Sequence, residues 1–278
     1  MYESLPEQRT LEGFSIVFSI NILKGSTMHK TKEKPWHEQD SFWETYAPVI
    51  FTNKIILAAS QEVEQLMNLL NLQKDSMICD MCCGVGRHSL ELVRRGFKVT
   101  GVDRTTSYLQ EAKKKADAEG LDIQFINEDI RDFCRPDSFD AVLNLYTSFG
   151  YFEKRADEKT ALENIYKSLK SGGKLVIELM GKEVLARIFQ ERDWREENGI
   201  ILLEERKISE NWDFIESRWI LIKDGKKFEC KFYPRLYSAV ELCELLRSCG
   251  FGRVDTYGGL DGSPYDQKAN RLVVVGCK

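Results

Sequence analysis

The segment from Cys79 to Ser89 reads CDMCCGVGRHS, and its reading decides the fold. The run MICDMC (77–82) ahead of it is short and apolar, as a buried strand requires, and Gly86 to Arg95 reads as a helix. The loop between them carries Gly84 and Gly86. Glycines at such a turn let backbone approach a ligand closely, and the helix N-terminus behind them favours an anionic group.

Outward from this loop the same alternation continues. KVTGVD (98–103) reads as a strand, Ser107 to Glu119 as a charged amphipathic helix and IQFIN (123–127) as a strand. FDAVLNL (139–145) is a further strand, Asp157 to Leu169 a helix and KLVIEL (174–179) a strand. Strands separated by helices of this length predict a parallel sheet covered on both faces. Asp103 closes the second strand, the position that reaches ribose hydroxyls in a doubly wound sheet. Two loop chemistries stay open at this point. One is the dinucleotide fingerprint G-x-G-x-x-G, with Ser89 in place of the third glycine. The other is an adenosyl-methionine loop, in which an acid, here Asp80, precedes the glycines.

The flanks break the alternation. WHEQDSFWETYAPVIF (36–51) is aromatic-rich, and Val63, Leu66, Leu69 and Leu70 recur at helical spacing, so residues 28–71 are expected to form a helical cap. Residues 72–278 are expected to form the α/β domain, with an antiparallel β insert at about 194–235. Within the insert GIILLEERKI, NWDFIESRWILI and KKFECKFY read as strands, and Asp224-Gly225 suits a type I′ hairpin turn. Ser238 with Glu241 forms a capping box, and GRVDTY (252–257) with RLVVVG (271–276) predicts a closing hairpin.

Four motifs in order resemble those of the class I S-adenosylmethionine-dependent methyltransferases. Asp80-Met81-Cys82-Cys83-Gly84-Val85-Gly86 resembles the family's D-x-G-x-G-x-G, with Cys82 where glycine is usual. Val99 to Asp103, Asn127 to Ile130 and Phe139 to Leu145 resemble the second, third and fourth motifs. The resemblance covers about residues 36–278. It implies a Rossmann-like, seven-stranded, mostly parallel sheet with an antiparallel last strand, and S-adenosyl-L-methionine as cofactor.

By the same resemblance Asp80 and the backbone at Cys82, Cys83, Gly84 and Gly86 would hold the methionine part. Asp103 would take the ribose hydroxyls with Arg104 beside the adenine, while Asp129 and Ile130 would meet the adenine amino group and ring. Asn144 and Leu145 would lie against the methionine amino group, and Arg87 and Tyr46 would meet its carboxylate. Tyr146 and Tyr151 are candidates for the substrate side, with core packing as their alternative, and Arg235 and Tyr237 join them as the chain leaves the insert. A plain salt bridge is the alternative reading of Arg235. Aromatic N-terminal helices and a late insert resemble small-molecule N- or O-methyltransferases, including those acting on amines and amino sugars. No general base is visible, so the catalytic residues are left unassigned.

Composition narrows the partners. The 278 residues carry 40 basic and 44 acidic side chains, a net charge of −4, which favours a small-molecule substrate over nucleic acid. Cys79 and Cys82 form a CxxC without a second pair, and their positions point to opposite strand faces, so no metal site is expected. His29, His37 and His88 read as polar or capping residues rather than bases. FSIVFSINIL (14–23) is half the length of a membrane span and lacks a basic leader, so residues 1–27 read as a mobile extension and the chain as cytoplasmic, without membrane association. The competing functions are an RNA or protein methyltransferase on the same fold, a nicotinamide-dependent oxidoreductase, and a non-catalytic S-adenosylmethionine-binding protein.

Overall fold

The computed structural model describes residues 34–278; the stretch at 14–23, the expected extension 1–27 and His29 lie outside the described residues. A short turn at Trp36–Glu38 leads into α1 (Asp40–Ile50) and α2 (Asn53–Leu70). Strands and helices then alternate: β1 (Met77–Met81), α3 (Arg87–Arg94), β2 (Lys98–Asp103), α4 (Thr106–Glu119), β3 (Ile123–Asn127), β4 (Phe139–Asn144), α5 (Arg155–Ser168) and β5 (Leu169–Leu179). After α6 (Lys182–Ile188) come β6 (Arg192–Glu197), β7 (Ile200–Ile208), β8 (Ile215–Lys223) and β9 (Lys226–Phe232). The chain closes with α7 (Ala239–Ser248), β10 (Arg253–Tyr257) and β11 (Leu272–Cys277).

The main sheet has the order β10-β11-β5-β4-β1-β2-β3. β1 to β5 pair in parallel, whereas β11 runs antiparallel to β5 and to β10. The central strands are apolar on both sides because helices cover both faces. On one face Val63, Leu66 and Leu70 of α2 and Leu92 of α3 pack with Ile78, Leu143 and Val176. On the other, Leu162 and Ile165 of α5 and Leu242 and Leu246 of α7 pack with Cys79, Val142 and Ile177. The switch point between β1 and β4 therefore opens at the C-terminal strand ends, where ligands bind in such sheets.

A second, antiparallel sheet of order β6-β7-β8-β9 carries the insert. It has one strand more than the sequence suggests. Every residue of β6 is exposed, so no side-chain alternation announces it; the ladder to β7 alone makes it a strand. The β8–β9 turn is as expected: Asp224 and Gly225 have φ of 49° and 72°, the pair of left-handed residues that a type I′ turn needs. Phe42, Tyr46 and Val49 of α1 pack on Leu202, Leu221 and Phe232 of this sheet, so helix and insert share one aromatic core. The Ser238–Glu241 capping box forms as read.

Candidate functional site

The glycine loop is built by a sharp departure from β1. Cys82 adopts φ 61°, in the left-handed region that is costly for a residue with a Cβ. Cys83 N–H then donates to the Val102 carbonyl at 3.0 Å, stitching the loop to β2. At Gly84, also left-handed at φ 56°, an added Cβ would lie 2.8 Å from Cζ of Phe51. Any side chain there would have to push the Phe51 ring aside, so the backbone is bare toward the cavity.

Three carboxylates surround this loop. Asp80 is buried at the end of β1 and accepts from Ser89 Oγ at 2.6 Å; burial raises its pKa, opposed by His88, Ser89 and Arg87. Asp103 accepts from Gly84 N–H and Thr105 N–H, each at 2.8 Å, so it fixes the loop as well as facing the cavity. Its pKa is also raised by burial, against those two hydrogen bonds. Asp129 is different. Burial pushes its pKa up, yet the forked Arg131 guanidinium, with donors at 2.8 Å to each oxygen, holds it below the usual carboxylate value. Arg131 in turn reaches Glu38 at 2.8 Å and lies over the Phe152 ring at 4.7 Å.

Asp80, Cys82, Cys83 and Gly84 line one cavity together with Arg87, Asp103 and Arg104. Asp129, Ile130 and Leu145 line it from the far strands, and Tyr146 and Tyr151 close its inner end. Arg104 donates to the carbonyls of His37 and Glu38 at 2.9 and 2.8 Å, tying the short turn at Trp36–Glu38 to the end of β2. Arg87 is committed to Glu62 of α2 and to the Ile55 carbonyl at 3.1 Å, and it lies 5.1 Å from the Tyr146 ring centre.

Other expectations need correction. Tyr46 does not line the cavity; it is buried against the insert, its hydroxyl donating to the Trp219 carbonyl at 3.3 Å, because α1 turns that face to the second sheet. Gly86 lies behind the cavity as the N-cap of α3. Asn144 is fully buried, with Nδ2 at 3.5 Å from the Met81 carbonyl and 3.6 Å from Cys82 Sγ. Its Oδ1 has no partner among the described residues. Tyr237 faces the core, its hydroxyl donating to buried Glu158, and Arg235 pairs with that same carboxylate at 3.3 Å. The salt-bridge reading of Arg235 is the one the geometry carries, although its side chain also borders a second cavity.

His37, His88 and Glu62 are the residues that sequence reading missed. His37 is buried and lines the cavity, and burial lowers its pKa. Nε2 of His88, also buried and cavity-lining, lies 2.7 Å from Glu62 Oε2. Each is a single polar residue in a mixed stretch, and the only available signal for Glu62 was its place one turn ahead of the apolar Leu66 on α2. Among the described residues no group of His, Cys, Asp and Glu could hold a metal ion, and no helix is long and apolar enough to cross a membrane.

A second cavity of about 680 Å³ lies beyond Tyr146. Trp43, Ile50, Tyr146, Phe149 and Tyr151 line both cavities and form the partition between them. Its other walls come from Trp36, from Trp219 and Phe232 of the insert, and from Arg271. Tyr146 and Thr147, at the partition, are both left-handed, with φ of 60° and 59°. Glu178 holds them: its carboxylate accepts from Tyr146 N–H at 2.6 Å and its carbonyl from Thr147 N–H at 3.0 Å. Arg271 bridges Glu178 and Thr147 Oγ1, the latter at 2.6 Å.

The family model described as a methyltransferase domain matches residues 78–173. YqeM of Bacillus subtilis (strain 168), which its name assigns provisionally to the methyltransferases, is 25% identical over 187 residues, 65% of this chain and 75% of that protein. The carboxy-S-adenosyl-L-methionine synthase of Campylobacter jejuni subsp. jejuni serotype O:23/36 (strain 81-176) is 28% identical over 210 residues, 73% of this chain and 82% of its own. A solved S-adenosylmethionine-dependent methyltransferase from Clostridium acetobutylicum ATCC 824 superposes with TM-score 0.71 at 18% identity, covering 86% of this chain and 98% of that one. CalS10, an amino pentose methyltransferase from Micromonospora echinaspora with S-adenosylmethionine bound, gives TM-score 0.59 at 19% identity over 79% and 89% of the two chains. The 1,6-didemethyltoxoflavin-N1-methyltransferase of Burkholderia thailandensis, holding its substrate and S-adenosylhomocysteine, gives TM-score 0.54 at 18% identity over 86% and 85%.

Proposed function

We propose, from the premise that this chain carries a class I S-adenosylmethionine-dependent methyltransferase domain, that it methylates a nitrogen or oxygen of a small molecule. The observation that carries the reading is the shared partition: one cavity runs along the glycine loop, and a second is separated from it only by Tyr146, Phe149, Tyr151 and two residues of α1. The second cavity lies under the insert and α1, and its size is that of a small-molecule site. CalS10 and the Burkholderia enzyme, as named, act on an amino pentose and on 1,6-didemethyltoxoflavin.

The residues suit the cofactor. A backbone cradle at Gly84 that the Phe51 ring keeps clear of a Cβ and three carboxylates along the strand ends match a ligand rich in hydroxyl and amino donors. When bound, S-adenosylmethionine supplies an electrophilic methyl group on a sulfonium. In this reading Asp103 binds the ribose, Asp129 and Ile130 the adenine, and Asp80 with the Cys82–Gly84 backbone the methionine end. Asp103 is held for that role by two backbone N–H groups. The chain's remaining task is orientation and the exclusion of water, which can supply about 7–11 kcal/mol of a barrier. Trp36, Trp43 and Tyr151 make the dry wall for it, with ring centres 4.8 to 5.9 Å apart. We assign the protein to the cytoplasm, where its eight free cysteines remain reduced.

Calorimetric titration with S-adenosylmethionine and S-adenosylhomocysteine tests the binding half of this reading. A metabolite-mixture screen with a labelled methyl donor tests turnover. Absence of binding by both ligands would sink it, and label transferred only to RNA or protein would turn it to a macromolecular substrate.

A further inference from the structure

We infer that the second cavity takes a planar aromatic acid: a flat ring against its aromatic wall and an anionic group on its arginines. This names the substrate class of the methyl-transfer reading and rests on it. The walls are unusually aromatic. Trp36, Phe42, Trp219 and Phe232 interlock with ring centres 4.9 to 6.5 Å apart, and Trp43 and Tyr151 continue the cluster to the partition. Flat, rigid faces of this kind select a flat ligand.

The polar side of the cavity is weighted toward positive charge. Arg195, Arg206, Arg235 and Arg271 line it, against Asp193 and Glu204. The carboxylates that neutralise Arg235 and Arg271 are Glu158 and Glu178, which stand behind them and do not line the cavity. Buried Glu204 is shared: Arg195 reaches it at 3.1 Å and Arg206 at 2.9 Å, so one carboxylate serves two guanidiniums. An ammonium group entering here would meet guanidiniums, with one carboxylate already doubly engaged and Asp193 at the exposed rim. A carboxylate would meet the guanidinium faces that are turned away from Glu158 and Glu178. Spare donors are present for it, since Arg271 uses Nε and Nη2 on the protein and its Nη1 has no partner among the described residues. Guanidinium forks match planar oxyanions, which an isolated ammonium does not.

The partition sharpens the point. None of the five residues that line both cavities carries a carboxylate or an imidazole.

Calorimetry on the full chain saturated with S-adenosylhomocysteine separates the classes, using benzoate, benzamide and benzylamine as probes of one shape and three charges. Benzoate is expected to bind at least about ten-fold more tightly than benzamide, with benzylamine weakest. Arg206→Met is expected to lower benzoate affinity about ten-fold with S-adenosylhomocysteine affinity unchanged, and Arg206→Lys to recover part of it. Benzylamine binding as tightly as benzoate, no probe binding to a chain that holds S-adenosylhomocysteine, or indifference of benzoate to Arg206→Met would each overturn the assignment. Those outcomes leave methyl transfer standing. Benzoate binding in a chain that binds neither form of the cofactor would instead remove the methyl-transfer reading and keep the ligand class.

Discussion

Replacing Arg235 by Met isolates the buried pair that anchors the insert to the α/β domain. Glu158 is fully buried and Arg235 nearly so, and the carboxylate is shared between the guanidinium at 3.3 Å and the Tyr237 hydroxyl. Removing one partner of a buried pair costs about 3–5 kcal/mol, because the other charge is left without compensation. Here Tyr237 still donates to one oxygen and Met refills part of the volume over Phe214, so the lower end, about 3 kcal/mol, is expected at pH 8. The pH dependence identifies the cause. Burial already raises the Glu158 pKa, opposed by Tyr237 and Arg235, and deleting Arg235 raises it further. A group whose folded pKa lies above its unfolded one contributes stability that is present at low pH and lost as pH rises through the folded pKa. The penalty of Arg235→Met relative to the parent therefore shrinks on going from pH 8 to pH 5, by about 1.4 kcal/mol for each unit of added shift.

Urea unfolding of both proteins at the two pH values, followed by tryptophan fluorescence and far-ultraviolet circular dichroism, measures this directly. Adding Glu158→Gln to Arg235→Met is expected to recover part of the loss, since the orphaned charge is gone. A penalty below about 1 kcal/mol at pH 8, or one that is the same at both pH values, would refute the reasoning.

Asp103→Ala removes a carboxylate that orders the loop as well as facing the cavity, so S-adenosylhomocysteine affinity falls by more than about ten-fold in calorimetry. Gly84→Ala places a Cβ in a left-handed residue 2.8 Å from Phe51; a loss of about 1–2 kcal/mol in urea unfolding is expected, with weakened cofactor binding. Asp129→Asn flattens acid unfolding, read as the midpoint temperature between pH 5 and pH 3. The Asp129 pKa is held below its ordinary 3.8, so its contribution is present above that value and lost as pH falls through the folded one.

What was legible in the sequence was local. The alternation of short apolar runs with amphipathic helices announces the parallel sheet, and an acid at the end of β1 and β2 brackets the glycine loop whatever packs around it. The misplaced residues depend on long-range choices. Tyr46 sits on a helix with more than one apolar flank, and only docking against β8 and β9 determines which is buried. Tyr237 precedes a capping box whose register could be read, but its partner Glu158 lies on α5, far away in sequence. β6 carries no pattern because an exposed edge asks nothing of its side chains. Cys82 is the reverse case: an apparent flaw in the loop whose cost becomes visible only with its φ of 61°.

That cost has a counterpart at the partition. Tyr146 and Thr147 are consecutive left-handed residues with side chains, each worth about 1–3 kcal/mol of backbone strain. Such a turn persists only where its surroundings over-determine it, and they do so from two directions. From the sheet, Glu178 and Arg271 grip both residues of the turn. From the insert, Arg235 N–H donates to the Gly150 carbonyl at 2.6 Å, and its guanidinium reaches the Glu153 carbonyl at 2.9 Å. The loop that divides the two cavities is thus fixed by the insert on one side and by the sheet on the other. Its strain is met by folding rather than by ligand binding, so the partition stands in place before either ligand arrives.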